Sequence, residues 1–261
     1  MNNEATSSKL NNLYVILSGI FISNVILAEL MGMKIFSITK MFGLESGFMS
    51  FFSDPNGEMN MSVGILIWPF VFILSDIVNE YFGKKGVQKM SILGACMILY
   101  SSLLIIVGTS LPPSDFWLQL NGTDLSGHPL NIDHAYSIIF RQGISIIIGS
   151  VTAFLLSQLV DVYAFHYIRK LTGHKKLWLR ATGSTVISQL IDSYVVLAVA
   201  FYLLGKWSFA QVLAVGTMQY FYKVGLAILL TPVIYLVHFI IDRVLGRKGA
   251  IEVIEETDKN W

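Results

Sequence analysis

Apolar residues in this chain run in blocks of about 20, rather than alternating or recurring every third or fourth position, which predicts membrane-spanning helices instead of amphipathic surface elements. Six blocks stand out, at residues 13–30, 63–82, 90–111, 138–163, 182–204 and 212–241. The stretch 33–52 is nearly as apolar, but Lys34, Lys40 and Glu45 would each be costly in hydrocarbon, so it reads as a loop or an interfacial helix. The polar first dozen residues precede an apolar run with no small-residue cleavage site behind it, as in a retained span rather than a signal peptide.

Composition agrees and excludes some classes of function. Only 13% of the 261 residues are charged and 54% are hydrophobic, too few polar groups to wet the surface of a soluble enzyme. A formal net charge of +1 gives no reason to expect nucleic acid as a partner; the bilayer is the expected one. The single Cys96 lies inside an apolar run and permits no intrachain disulfide.

The charges are placed unevenly. Lys84, Lys85 and Lys89 follow the second block, Arg169, Lys170, Lys175, Lys176 and Arg180 follow the fourth, and Arg243, Arg247 and Lys248 follow the sixth. The connector after the third block carries Asp115, Asp124 and Asp133 without lysine or arginine. The positive-inside rule then puts both termini in the cytoplasm. The expected fold is an all-α integral membrane protein, a bundle of six transmembrane helices with both termini cytoplasmic. The tail from Gly249 to Trp261 is polar and acidic and is expected to be disordered.

Polar residues inside the blocks carry the candidate chemistry. A short pattern occurs three times, as Ser75-Asp76-Ile77-Val78-Asn79-Glu80-Tyr81, Ser157-Gln158-Leu159-Val160-Asp161-Val162-Tyr163 and Ser188-Gln189-Leu190-Ile191-Asp192-Ser193-Tyr194. On a helix the serine and the Asn or Asp four positions later share a face, so each copy projects a polar stripe toward a neighbour. Ser145, Gly149, Ala153, Ser157 and Asp161 continue such a stripe at four-residue spacing, which permits close helix contact within the chain or in a homodimer.

At 1.5 Å rise per residue, Asn24, Asp76, Asp192 and Lys223 lie about 15–20 Å into their spans, near the middle of a core about 30 Å thick. Ionised groups at that depth cost several kilocalories unless they are paired or face a polar cavity. Either a structural Asp192–Lys223 ion pair or a ligand site satisfies that requirement, although the pair leaves Asp76 unexplained. Trp68, Phe72 and Tyr220 are the aromatics placed to stack on a flat ligand, and Pro69 and Pro232 lie inside apolar runs where a kink would free backbone carbonyls.

Other chemistry finds no motif. The chain has no Walker loop, no His-Glu-x-x-His and no Gly-x-Ser-x-Gly. His128, Asp133 and His134 share the outer connector but lack a further ligand, so no metal or cofactor is expected. Asp76 and Asp192 could mimic the two acids of an intramembrane aspartyl protease, but neither stands in a Gly-x-Gly-Asp context.

The segment from Trp68-Pro69-Phe70 through Ser75-Asp76-Ile77-Val78-Asn79-Glu80-Tyr81-Phe82-Gly83 resembles the queuosine precursor transporter family, also called the vitamin-uptake-like transporters. Asn24 followed by Lys34, the set Trp178, Arg180, Ser184, Thr185, Gln189, Asp192 and Ser193, and Lys223 with Pro232 are similar to three further blocks of that family. The likeness runs from about Leu13 to Val244, and within the loops 31–62 and 111–137 the stretches Gly43 to Met61 and Pro112 to Asp133 look like lineage-specific insertions. The resemblance implies a transporter rather than an enzyme, importing the 7-deazaguanine bases preQ0 and preQ1 through the cell inner membrane for queuosine salvage. Residues 1–245 would then form a single six-helix transmembrane transport domain and 246–261 a polar, acidic cytoplasmic tail.

A guanine-like edge offers adjacent N–H donors, which suit a carboxylate, and a carbonyl, which suits an amide or lysine. The substrate-binding set expected on that basis is Asn24, Trp68, Phe72, Asp76, Glu80, Gln189, Asp192, Tyr220 and Lys223, with Glu80 reading the aminomethyl cation or closing a cytoplasmic gate. Six spans and a small size also suit a substrate-capture subunit that needs a separate energising module.

Overall fold

Backbone inside hydrocarbon can hydrogen bond only to itself, so long apolar runs are driven into helix. The computed structural model describes residues 2–44, 58–141, 143–172, 177–246, 249–251 and 253–254; the apolar blocks are largely helical, although Arg141 and Gly143 lie outside helix and interrupt the expected span 138–163. In chain order the elements are α1 (Asn2–Met31), β1 (Ile35–Ser37), α2 (Ile38–Phe42), β2 (Asn60–Ser62), α3 (Trp68–Ser110), α4 (Asp115–Leu120), α5 (Ile132–Phe140), α6 (Ile144–Thr172), α7 (Leu177–Leu197), α8 (Phe209–Leu229) and α9 (Thr231–Leu245). Among the described residues, five helical stretches are long and apolar enough to cross a membrane: Ser8–Met31, Val63–Ser110, Ile132–Thr172, Trp178–Leu203 and Phe209–Leu229.

The second of these stretches contains the expected span 63–82 and all of 90–111 but its last residue. As a straight rod, α3 would be about 65 Å long, roughly twice the hydrocarbon thickness. Gly83 interrupts it with φ 63° and ψ −170°, a conformation open to glycine because it has no Cβ to clash. Ser75 and Ser91 lie eight residues before and after Gly83, yet both donate to the same Oε1 of Gln158, at 2.7 and 3.4 Å. The two halves of α3 therefore fold back on each other as a helical hairpin around one glycine.

Both halves bury their apolar stripes against α1, where Leu17, Phe21 and Val25 meet Val71, Ile77, Val78 and Met90. The Tyr14 hydroxyl donates to the Gly86 carbonyl at 2.8 Å just past the turn. Opposite stripes, such as Ile92, Leu99 and Leu103, are exposed, the arrangement that lipid rather than water solvates.

The prolines act differently from the expected kinks. Pro69 sits in the first turn of α3 and Pro232 in the first turn of α9, positions where the missing N–H has no intrahelical partner to lose. The expected span 212–241 is accordingly two helices that meet at Leu230–Thr231. Of the segment expected as a loop or an interfacial helix, residues 33–44 carry β1 and the short α2, with β1 pairing antiparallel to β2; the rest, 45–52, lies outside the described residues. The tail also differs from expectation at its start. Residues 249–251 and 253–254 are helical, and Ala250 and Val253, three apart on one face, are buried in the main core.

In the connector between α3 and α5, backbone N–H groups of His128 and Ser126 donate to Asp124 and hold its carboxyl below the usual carboxylate range. His128 stands 3.4 Å from Asp124, and no cluster of three metal-capable side chains occurs among the described residues.

The small-residue stripe of α6 faces inward. Ala153, Ser157 and Asp161 are buried, and a Cβ on Gly149 would lie 2.7 Å from Ala200 Cβ, 3.0 Å from Ala200 N and 3.1 Å from Val196 O. These are atoms of the π-helical turn Ala198–Leu203 and the end of α7, so the stripe serves contact within one chain. Gly149→Ala should destabilise by about 1–3 kcal/mol through overpacking against backbone that cannot yield. Thermal unfolding in detergent checks this, and an unchanged midpoint would mean the two helices separate freely.

Candidate functional site

The three copies of the repeated pattern meet one another. Ser157 on α6 donates to Asp192 on α7 at 3.3 Å, and Ser188 on α7 donates to Asp161 on α6 at 2.9 Å, a reciprocal exchange between the second and third copies. Ser75 of the first copy donates to Gln158 of the second. The polar face of each helix is thus satisfied by the equivalent face of another, which is how serine and carboxylate stripes become tolerable in a bilayer.

Beside this seam lies a narrow pocket between α3, α7, α8 and α9. Spacing explains the composition of its walls. Phe72 and Asp76, four apart, come from α3; Thr182, Thr185 and Gln189, three and four apart, come from one face of α7. Lys223 and Ala227 of α8 and Ile234 of α9 close it. Asp76 is 2% exposed and accepts from Ser184 and Thr185, each at 3.4 Å. Lys223 Nζ is 2.6 Å from Asp192 Oδ2, with both side chains buried. The ion pair considered from the sequence therefore exists, and its cation is also a pocket wall.

Gln189 is the pocket residue whose needs the protein leaves unmet. It is 2% exposed, and neither its Oε1 nor its Nε2 has a hydrogen-bond partner. A buried amide with donor and acceptor both idle costs several kilocalories unless something else meets them. The pocket therefore offers a cargo a carboxylate, an amide with both functions idle, two threonine hydroxyls and an ammonium, over the apolar floor of Phe72 and Ile73.

Of the nine residues expected to bind substrate, Phe72, Asp76, Gln189 and Lys223 line the pocket, and Asp192 stands directly behind Lys223. The other four lie elsewhere. Asn24 Nδ2 donates to the Ile20 carbonyl of its own helix at 2.9 Å. Trp68 packs on Phe154 and Phe72 with centroids 5.7 and 6.5 Å apart, and Tyr220 packs on Phe221. Glu80 is engaged by arginine: Arg180 donates to both of its oxygens, at 3.1 and 2.5 Å, and Arg169 to one at 3.4 Å.

That triad changes the reading of the basic residues. Arg169 and Arg180, counted from the sequence as cytoplasmic charges that set orientation, are 5% and 3% exposed and join α6 and α7 to α3. Next to it, the Tyr81 hydroxyl lies 2.8 Å from Asp242 and 2.9 Å from His238, which ties α9 to the same end of α3. Thr182 and Thr185 were missed as wall residues, although their three-and-four spacing to Gln189 was readable. Glu29, buried and accepting from Ser150 at 2.8 Å, was also missed, since no repeat marks it.

Comparison with known proteins bears on what such a pocket holds. Residues 62–237 match the sequence profile of a family described as "Putative vitamin uptake transporter". A Bacillus subtilis protein named "Probable queuosine precursor transporter" is 29% identical over 178 residues, covering 68% of this chain and 71% of that protein. A Haemophilus influenzae protein of the same name is 26% identical over 168 residues, covering 64% of this chain and 63% of that relative, just under two thirds of its length. No solved structure matches the chain.

Proposed function

Because the chain belongs to the vitamin uptake transporter family, we propose that it imports 7-deazaguanine bases, the cyano and aminomethyl precursors of queuosine, through the pocket between α3, α7, α8 and α9. The family is one of transporters rather than enzymes, and the chain is a multi-pass membrane protein, which in bacteria sits in the inner membrane. We read the α3 hairpin as two crossings, which makes six spans and a cytoplasmic position for both termini, the side that the positive-inside rule favours for the flanking lysines and arginines.

The observation that carries the choice of cargo is Gln189, whose idle acceptor and donor stand on the same wall region as an acid and a lysine. A deazaguanine presents its ring N–H and exocyclic amine side by side, matched by Asp76 accepting both. Its carbonyl accepts from Lys223 or from Gln189 Nε2, while Phe72 supplies an aromatic surface for the ring. Glu80 is not part of this proposed contact set, because its carboxylate already serves two arginines.

Equilibrium binding to detergent-purified protein tests the reading. Both deazaguanines are expected to bind, and adenine, whose corresponding edge reverses donor and acceptor, is expected to bind far more weakly. Folded protein that ignores both deazaguanines would overturn the proposal.

A further inference from the structure

The Asp76 carboxyl does not face the pocket alone. On its other side stands Asp161 of α6: Ser75, next to Asp76, donates to Gln158 one turn before Asp161, and Ser184 and Ser188, one turn apart on α7, donate to Asp76 and Asp161 in turn, which sets the two carboxyls side by side. The groups around this pair come from three helices. From α7, Ser184 and Thr185 donate to Asp76 and Ser188 to Asp161. From α3, Glu80 one turn on is held by Arg169 and Arg180, and from α8, Lys223 is held by Asp192. Among the described residues no cation reaches either oxygen pair, and Asp161 Oδ2, in a fully buried side chain, has no hydrogen-bond donor from the protein.

Two ionised carboxylates are acceptors only and cannot bond to each other; side by side and buried, they would also carry two uncompensated charges. One proton shared between them removes both objections. It supplies the missing donor and leaves a single negative charge spread over hydroxyl-lined oxygens.

We infer that Asp76 and Asp161 form a proton-carrying carboxyl pair whose pocket-side member contacts the cargo, so that one proton moves inward with each molecule imported. The direction of cargo movement rests on the transport reading above, while the proton on the pair does not. The balance is simple: an O–H bond forms on the pair with a proton from the outer solution and breaks when that proton is released to the cytoplasm. The cargo itself is unchanged. Asp161 is a positioning and proton-holding residue, since it reaches the pocket only through Asp76.

Two measurements test this. Infrared spectra of purified protein in lipid nanodiscs, with no cargo present, should show a protonated-carboxyl stretch at neutral pH that shifts in D2O and disappears in Asp161→Asn. Absence of any such band tied to the pair would overturn the inference even if deazaguanines bind. In proteoliposomes, an acid-outside gradient of one pH unit should concentrate the base about tenfold, the ratio equivalent to about 1.4 kcal/mol. A protonophore should collapse that accumulation. Asp161→Asn should equilibrate the base without concentrating it, and equilibration also reports that the variant is folded. Accumulation driven by a sodium gradient alone, or undiminished in Asp161→Asn, would sink the coupling. Failure of the deazaguanines to enter at all would strike the choice of cargo and leave the infrared result to decide the pair.

Discussion

Replacing Glu80 with alanine is expected to cost about 3–5 kcal/mol of stability, the penalty for leaving buried charge without its partner. The side chain is 2% exposed, and it is the shared acceptor for Arg169 and Arg180, themselves 5% and 3% exposed. Without it, two guanidinium groups face each other where little water can screen them. Arg180→Met should do less harm, because Glu80 and Arg169 remain as a neutral pair. Glu80→Gln should fall between the two, since its amide oxygen still accepts while the charge is gone. Thermal unfolding midpoints and the folded fraction in size-exclusion chromatography give the order Glu80→Ala, Glu80→Gln, Arg180→Met from most to least damaged. Equal damage from the first and third would mean that Arg169 contributes nothing to the triad.

The second large effect is on binding. Asp76→Ala should weaken affinity for a deazaguanine by roughly 10–100-fold, as expected for loss of hydrogen bonds to a charged acceptor worth about 1.5–3 kcal/mol. Asp76→Asn should fare no better, because its amide presents donors to the donors of the base. Both variants should remain folded, since the hydroxyl bonds they lose from Ser184 and Thr185 are long, at 3.4 Å, and Asp161 left without its neighbour can hold the proton itself. Asp192→Asn should behave differently. It strips Lys223 of its partner at 2.6 Å, so stability and binding should fall together. Titration calorimetry read beside the unfolding midpoint separates the two patterns, and unchanged affinity in folded Asp76→Ala would remove that residue from the site.

The contrast between these residues reflects how the bundle divides its ionisable groups. Glu80 with its arginines and Asp192 with Lys223 are closed electrostatic units that join α3, α6, α7 and α8. Asp76 has two long hydroxyl contacts besides its neighbour Asp161, Gln189 has no hydrogen-bond partner, and both line the pocket. Groups left in need by the protein are the ones a polar cargo can satisfy.

Much of this was legible from the chain alone. The apolar blocks, the ionisable residues Asp76, Asp192 and Lys223 inside them, the three copies of the serine–acid pattern and the family likeness are properties of contiguous residues, because the cost of placing a charge in hydrocarbon and the geometry of a helix depend only on neighbours along the chain. Four of the nine expected contact residues line the pocket for that reason, and Asp192 stands just behind. Tertiary structure alone decided the partners. Whether Glu80 meets a ligand or two arginines, whether the α6 stripe faces a second copy or α7, and whether Asp76 meets Asp161 all depend on how far each helix is rotated and where the chain reverses at Gly83. Those rotations are set by packing summed over residues far apart in sequence, and a single helix, read by itself, carries no record of them.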